Sequence, residues 1–123
     1  MKNYSVPFSE GTMHEFVISA EKQKKKGLKA LDIEKKLLDY GFHSPTVYFP
    51  INVPESIMIE PTETETKETL DSFSEKMQYM HENIDSKLEY FKEAPYHTPV
   101  RRLNEAKANR ELDVKWKKDI DAI

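Results

Sequence analysis

Cysteine is absent from the 123 residues, which excludes disulfides, thiolate metal sites and thiol catalysis and suits a reducing cytoplasm. Glycine is scarce: Gly11, Gly27 and Gly41 are the only three and lie far apart. They form neither a phosphate-cradling loop nor a dinucleotide fingerprint, and no serine has the flanking glycines of a nucleophile elbow. No apolar run approaches the roughly 20 residues needed to cross a bilayer, and no apolar signal-peptide core follows Lys2. A dominant charge is missing too. The net charge is -3 with both signs interspersed, too weak a field to make nucleic acid or an anionic membrane the main partner. A cytoplasmic protein is expected.

The chain has the length of one domain, with room for one modest core between a small sheet and a few helices. Hydrophobic residues make up 37% and charged residues 33%, so the core is thin and much of the chain lies in water or against a polar partner. Residues Met1 to Met13 show no period and read as a lead-in. His14 to Ser19 reads as a short strand, with Phe16 and Ile18 on one side and Val17 on the other. Glu21 to Lys26 is a mostly basic, solvated run broken by Gly27. Leu28 to Tyr40 places Ala30, Ile33, Leu37 and Tyr40 at helical spacing, with Asp32 as a cap and Gly41 as a left-handed stop.

Phe42 to Pro45 is a turn, because Pro45 lacks an N–H and drives Ser44 out of the helical region. Thr46 to Pro50 and Ser56 to Pro61 follow as strands, most simply an antiparallel hairpin, giving at least three strands in all. Thr62 and Glu65 have capping-box spacing, and Thr64 or Thr66 offers a slightly later cap. Leu70, Phe73, Met77, Met80 and Ile84 then form the apolar stripe of a helix. Ser86 and Glu89 suggest a second capping box for a short helix through Tyr90 and Phe91, stopped by Pro95. Beyond it Tyr96, Val100, Leu103, Leu112, Val114 and Trp116 are too scattered among charges for a core of their own, so the tail drapes over another surface. The division expected is a lead-in over 1–13, a small α+β domain over 14–93 and an extended, partly helical tail over 94–123.

Chemistry-bearing patterns are few. His14, His43, His81 and His97 are far apart, and the zinc-protease motif that His14-Glu15 would open lacks its second histidine, because Ile18 stands there. Glu63, Glu65 and Glu68 lie at a helix start, where capping and the helix dipole account for them. No metal site and no complete catalytic site is expected.

Two strings carry a resemblance: Gly41-Phe42-His43-Ser44-Pro45-Thr46-Val47-Tyr48-Phe49-Pro50, and Met58-Ile59-Glu60-Pro61-Thr62-Glu63-Thr64-Glu65. Together with Met13 to Val17, Ala30 to Asp32, Asp39-Tyr40, Ala94 to Tyr96 and Thr98 to Leu103, they resemble the C-terminal region of glycine dehydrogenase (decarboxylating), the P-protein of the glycine cleavage system, of the subunit 2 type. The resemblance covers nearly the whole chain from Met13. It implies the small C-terminal domain of a fold-type I pyridoxal-phosphate enzyme, a three-stranded antiparallel sheet covered by helices, whose large domain carries the cofactor and its Schiff-base lysine. That lysine lies upstream of the part matched, so no lysine here inherits its role, no catalytic or cofactor-binding residue is assigned, and the isolated chain is expected to hold no cofactor.

The parent reaction so implied decarboxylates glycine on pyridoxal phosphate and passes the aminomethyl group to the lipoyl arm of H-protein. A cap domain would position groups and exclude water. Partners implied are the large domain of the same enzyme, P-protein subunit 1 and lipoyl H-protein. Within that role His14, His43 and Thr46, at strand ends or turns, are candidates to face the cleft, and Arg101 or Arg102 to pair a carboxylate or a neighbouring subunit. Each also has a bland account: a histidine bonded to a nearby carbonyl, a threonine in a turn, arginines in surface ion pairs. The alternative function is a standalone interaction module that kept the fold and lost the chemistry. The apolar faces of Tyr48, Phe49 and Trp116 are expected to need a partner.

Overall fold

The computed structural model describes residues 2–116. Its elements are β1 (Phe16–Ser19), α1 (Glu21–Lys25), α2 (Ala30–Asp39), β2 (Thr46–Val47), β3 (Ser56–Ile59), α3 (Lys67–Glu82), α4 (Ile84–Lys92) and α5 (Glu105–Arg110). The α+β class and the three-stranded antiparallel sheet expected from the sequence are both present, in the order β1-β3-β2. No described helix is long and apolar enough to cross a membrane.

Register divides the sheet into two unlike faces. Phe16 pairs with Ile59, Ile18 with Ile57 and Val47 with Ile57, and all five side chains join one apolar cluster with Ala30, Ile33 and Leu37 of α2, Met77 and Met80 of α3, and Ile84 and Phe91 of α4. Alternation sends Val17, Ser19, Thr46, Ser56 and Met58 to the opposite face, where Val17 and Met58 remain half-buried. Tyr4 sits in the same core although the sequence placed it in a lead-in, and its hydroxyl donates to the Met77 carbonyl at 2.9 Å. Burial raises the Tyr4 pKa well above the tyrosine norm.

Several local expectations need correction. β2 is two residues long rather than five, because Tyr48 adopts φ 60° and turns the chain out of the strand. Of the caps the sequence offers for α3, the later one is used: Thr66, whose Oγ1 accepts from the Thr69 N–H at 3.2 Å. The proposed Thr62–Glu65 box is instead a backbone turn, with the Glu65 N–H on the Thr62 carbonyl. α4 starts at Ile84, ahead of Ser86, and is kinked at Lys87, where φ is -131°. The Ser86 hydroxyl donates back to the Asn83 carbonyl and caps nothing. The run Glu21 to Lys26 holds a short helix with one fully buried member, Gln23, whose amide donates to the Asn3 carbonyl at 3.0 Å and lies 2.8 Å from His81 Nδ1.

α2 ends as Gly41 requires. Gly41 takes φ 83°, its N–H bonds to the Leu38 carbonyl and the Phe42 N–H to that of Leu37, the paired contacts of a Schellman turn. Asp32 acts at the other end, accepting the Lys29 N–H at 3.0 Å. A second N-terminal anchor comes from far away in sequence. Glu55, itself at φ 48°, accepts the Ala30 N–H at 2.8 Å and the Lys24 ammonium at 2.9 Å.

Candidate functional site

The Schellman turn throws Phe42 against Phe73 of α3, edge to face with ring centroids 5.3 Å apart. Between this pair and the ends of β2 and β3 opens a cleft of about 310 Å³. Phe42, Ile59, Leu70 and Phe73 give it apolar walls, while His43, Ser44, Thr46, Glu60, Thr62, Glu65 and Thr69 bring polar groups to it. The Ser44 hydroxyl donates to Glu34 at 2.5 Å and holds the turn to α2. His43 and Thr46 are both exposed on the same wall. No lysine or arginine lines the cleft, and among the described residues no three His, Asp or Glu side chains gather at metal distance.

The other three candidates stand elsewhere. His14 precedes β1 and lies 3.8 Å from Glu15, with its side chain 71% exposed. Strand register puts it at the end of the sheet where β3 leaves toward Glu60, but it does not line the cleft. Arg101 and Arg102 tie the tail to the end of α4. Arg101 donates to the carbonyls of Pro95 and Glu93 and lies over the Tyr96 ring at 4.6 Å. Arg102 donates to the carbonyls of Ala94 and Lys92 and pairs with Asp32 at 2.9 Å. The last carbonyls of a helix lack intrahelical partners, so these two guanidinium groups work as distant C-terminal caps.

Sequence reading missed a buried charge cluster beside them. Lys36 and Asp39, with side chains 2% and 1% exposed, meet at 3.1 Å. Lys36 also donates to the Tyr90 hydroxyl at 2.9 Å and lies over the rings of Tyr90, Tyr40 and Tyr96. Asp39 Oδ1 accepts the N–H groups of Tyr96 and His97 at 2.6 and 2.8 Å. Burial alone would raise the Asp39 carboxyl, but these two N–H groups and the Lys36 ammonium outweigh it and hold its pKa below the aspartate norm. Glu55 behaves alike: the Ala30 N–H and the Lys24 ammonium overcome the effect of burial and lower it. The i, i+3 spacing of Lys36 and Asp39 was a weak signal, since it equally describes an exposed helical pair.

The family model described as "Glycine dehydrogenase, C-terminal domain" matches residues 1–102. The chain belongs to the glycine dehydrogenase C-terminal domain family. Among proteins similar to it, a probable glycine dehydrogenase (decarboxylating) subunit 2 of Chloroherpeton thalassium is 51% identical over 113 residues, 92% of this chain and 23% of that protein. Probable subunit 2 proteins of Bacillus velezensis and Chlorobaculum tepidum are each 50% identical, over 96% and 93% of this chain and 24% of their own length. The chain thus spans about a quarter of the length of these relatives. In this glycine dehydrogenase C-terminal domain, the strings around His43 and Glu60 that carry the family resemblance line the cleft together with Thr69, Leu70 and Phe73 of α3.

Proposed function

We propose that this chain is the C-terminal cap of a glycine dehydrogenase (decarboxylating) of the glycine cleavage system. That cytoplasmic enzyme decarboxylates glycine on pyridoxal phosphate and passes the aminomethyl group to lipoyl H-protein. The observation that carries the reading is the family match over residues 1–102, joined to a cleft built from the strings at His43 and Glu60. In this reading the domain spans 14–93, with Tyr4 and Ser5 of the lead-in packed onto it and a tail following it, and its partners are the large domain, P-protein subunit 1 and H-protein.

The cleft does not fit pyridoxal phosphate on its own. Glu60 and Glu65 face an opening that offers no ammonium or guanidinium to a phosphate ester, and a dianion there would meet like charge without a counterion. In this reading cofactor binding belongs to the large domain, and no chemical step is assigned to the side chains of the cleft. What the cap supplies is a wall. His43 and Thr46 present one imidazole and one hydroxyl, and the Phe42–Phe73 pair gives an apolar backing; once the large domain covers it, such a wall would exclude water and strengthen electrostatic interactions.

Reconstitution tests this. Subunit 2 of the Bacillus velezensis protein, shortened by its C-terminal quarter, is mixed with subunit 1, H-protein, pyridoxal phosphate and this chain, and glycine-dependent carbon dioxide exchange is followed. Exchange should return on adding the chain. His43→Ala and Thr46→Ala should lower it while complex formation on a sizing column is kept. Glycine-dependent carbon dioxide exchange by the chain with cofactor and H-protein but without the shortened subunit 2 would overturn the reading. Binding to H-protein without any recovery of exchange would favour the standalone module.

A further inference from the structure

On the side of the domain formed by α2, α3 and α4, away from the sheet, Tyr40, Tyr79 and Tyr90 line an open groove of about 430 Å³ together with Lys76 and Lys87. Both ammonium groups are held against the aromatic walls. Lys76 Nζ lies 5.2 Å from the Tyr40 ring centroid, and Lys87 Nζ lies 5.0 Å from that of Tyr79 and donates to its hydroxyl. Among the described residues neither is paired with a carboxylate, whereas Lys36 behind the same rings is neutralised by Asp39. An ammonium has three donors, so most of the donor capacity of this pair is unfilled.

The rings add a second requirement. Tyr79 and Tyr90 are partly exposed, 36% and 44%, and Tyr90 is braced from behind by the stacked Tyr96 ring at 4.8 Å. A braced ring is a platform for another planar group. The Tyr40 hydroxyl keeps its proton, because burial and the neighbouring Tyr79, Tyr90 and Asp39 push its pKa up to about 12. Two cations over electron-rich walls suit a ligand that is flat at one end and anionic at the other.

We propose that this groove binds a small aromatic oxyanion, an aryl phosphate or aryl carboxylate, with its ring on the tyrosines and its anionic group between Lys76 and Lys87. The site is independent of the glycine reading, since it shares no residue with the cleft at His43.

The test is a chemical-shift titration of the full chain with phenyl phosphate, benzoate, inorganic phosphate and benzyl alcohol. Phenyl phosphate or benzoate should shift the ring resonances of Tyr40, Tyr79 and Tyr90 along one saturating curve, and the stronger of the two identifies the anion. Lys76→Gln with Lys87→Gln should weaken that binding at least tenfold, and Lys76→Arg with Lys87→Arg should keep it within threefold. Three results would each overturn the proposal: equal binding by benzyl alcohol, equal binding by inorganic phosphate, or unchanged affinity in the double glutamine variant.

Discussion

Replacing Asp39 by asparagine isolates the charge of the buried pair from its geometry. The two backbone N–H groups of Tyr96 and His97 both bond to Oδ1, while Lys36 bonds to Oδ2. Asparagine keeps an oxygen for the first two and turns an amide N–H₂ toward the ammonium. Lys36 is then left buried with no anion. Removing one partner of such a pair costs about 3–5 kcal/mol, and the retained N–H bonds and the tyrosine rings around Nζ favour the lower figure. About 3 kcal/mol corresponds to a fall in melting temperature of roughly 12 °C for a domain of this size. Adding Lys36→Met removes the stranded cation and keeps an apolar stem among the three rings, so the double variant should return to within about 1 kcal/mol of the parent. Urea unfolding followed by circular dichroism measures the parent, Asp39→Asn, Lys36→Met and the double variant. A loss under about 1 kcal/mol in Asp39→Asn, or losses that simply add in the double variant, would refute the claim that the pair is dry and ionised.

Acid should destabilise the fold through the same groups. Asp39 and Glu55 titrate in the unfolded chain near 3.8 and 4.5 and lower in the folded one, so their stabilisation is full above those values and disappears as pH falls through the folded pKa values. Urea midpoints should hold between pH 7 and pH 5 and drop from about pH 4 downward, with a shallower drop in Glu55→Gln. At neutral pH, Glu55→Ala leaves the Ala30 N–H without its acceptor and should cost about 1–2 kcal/mol of unfolding free energy. Gly27→Ala should cost a similar amount, about 1–2 kcal/mol in the same assay, because Gly27 has φ 99° and a methyl there would lie 3.1 Å from Leu88.

Features that repeat along the chain could be read in advance, and features that join distant residues could not. The apolar stripe at Ile33 and Leu37, the glycine stop at Gly41 and the alternation in Phe16 to Ile18 each recur within a few positions, so the helices and sheet followed. Tyr48 ended its strand early through one backbone angle, and no side-chain pattern marks that. Glu55 caps α2 from 25 residues away, Asp39 anchors Tyr96 across 57, and Gln23 is buried inside a run that otherwise looks fully solvated. Of the site candidates, His43 and Thr46 share a wall because the turn and strand joining them are adjacent. Arg101 and Arg102 bond mostly to main-chain carbonyls, acceptors that carry no residue-type signature.

The antiparallel bridge between Ser5 and Ser19 has a consequence for solubility. Its two hydrogen bonds, 2.8 and 3.3 Å long, occupy the free margin of β1, where an unpaired strand would otherwise recruit a neighbour. At the opposite margin β2 is only two residues long and sits between Pro45 and Pro50, too brief to seed a register. Edge-to-edge addition of further molecules is thereby disfavoured on one side by the first few residues and on the other by sheer shortness. Breaking the Ser5 bridge while keeping Tyr4 in the core, as Ser5→Pro would by removing the N–H that bonds to the Ser19 carbonyl, should raise self-association of the domain on a sizing column.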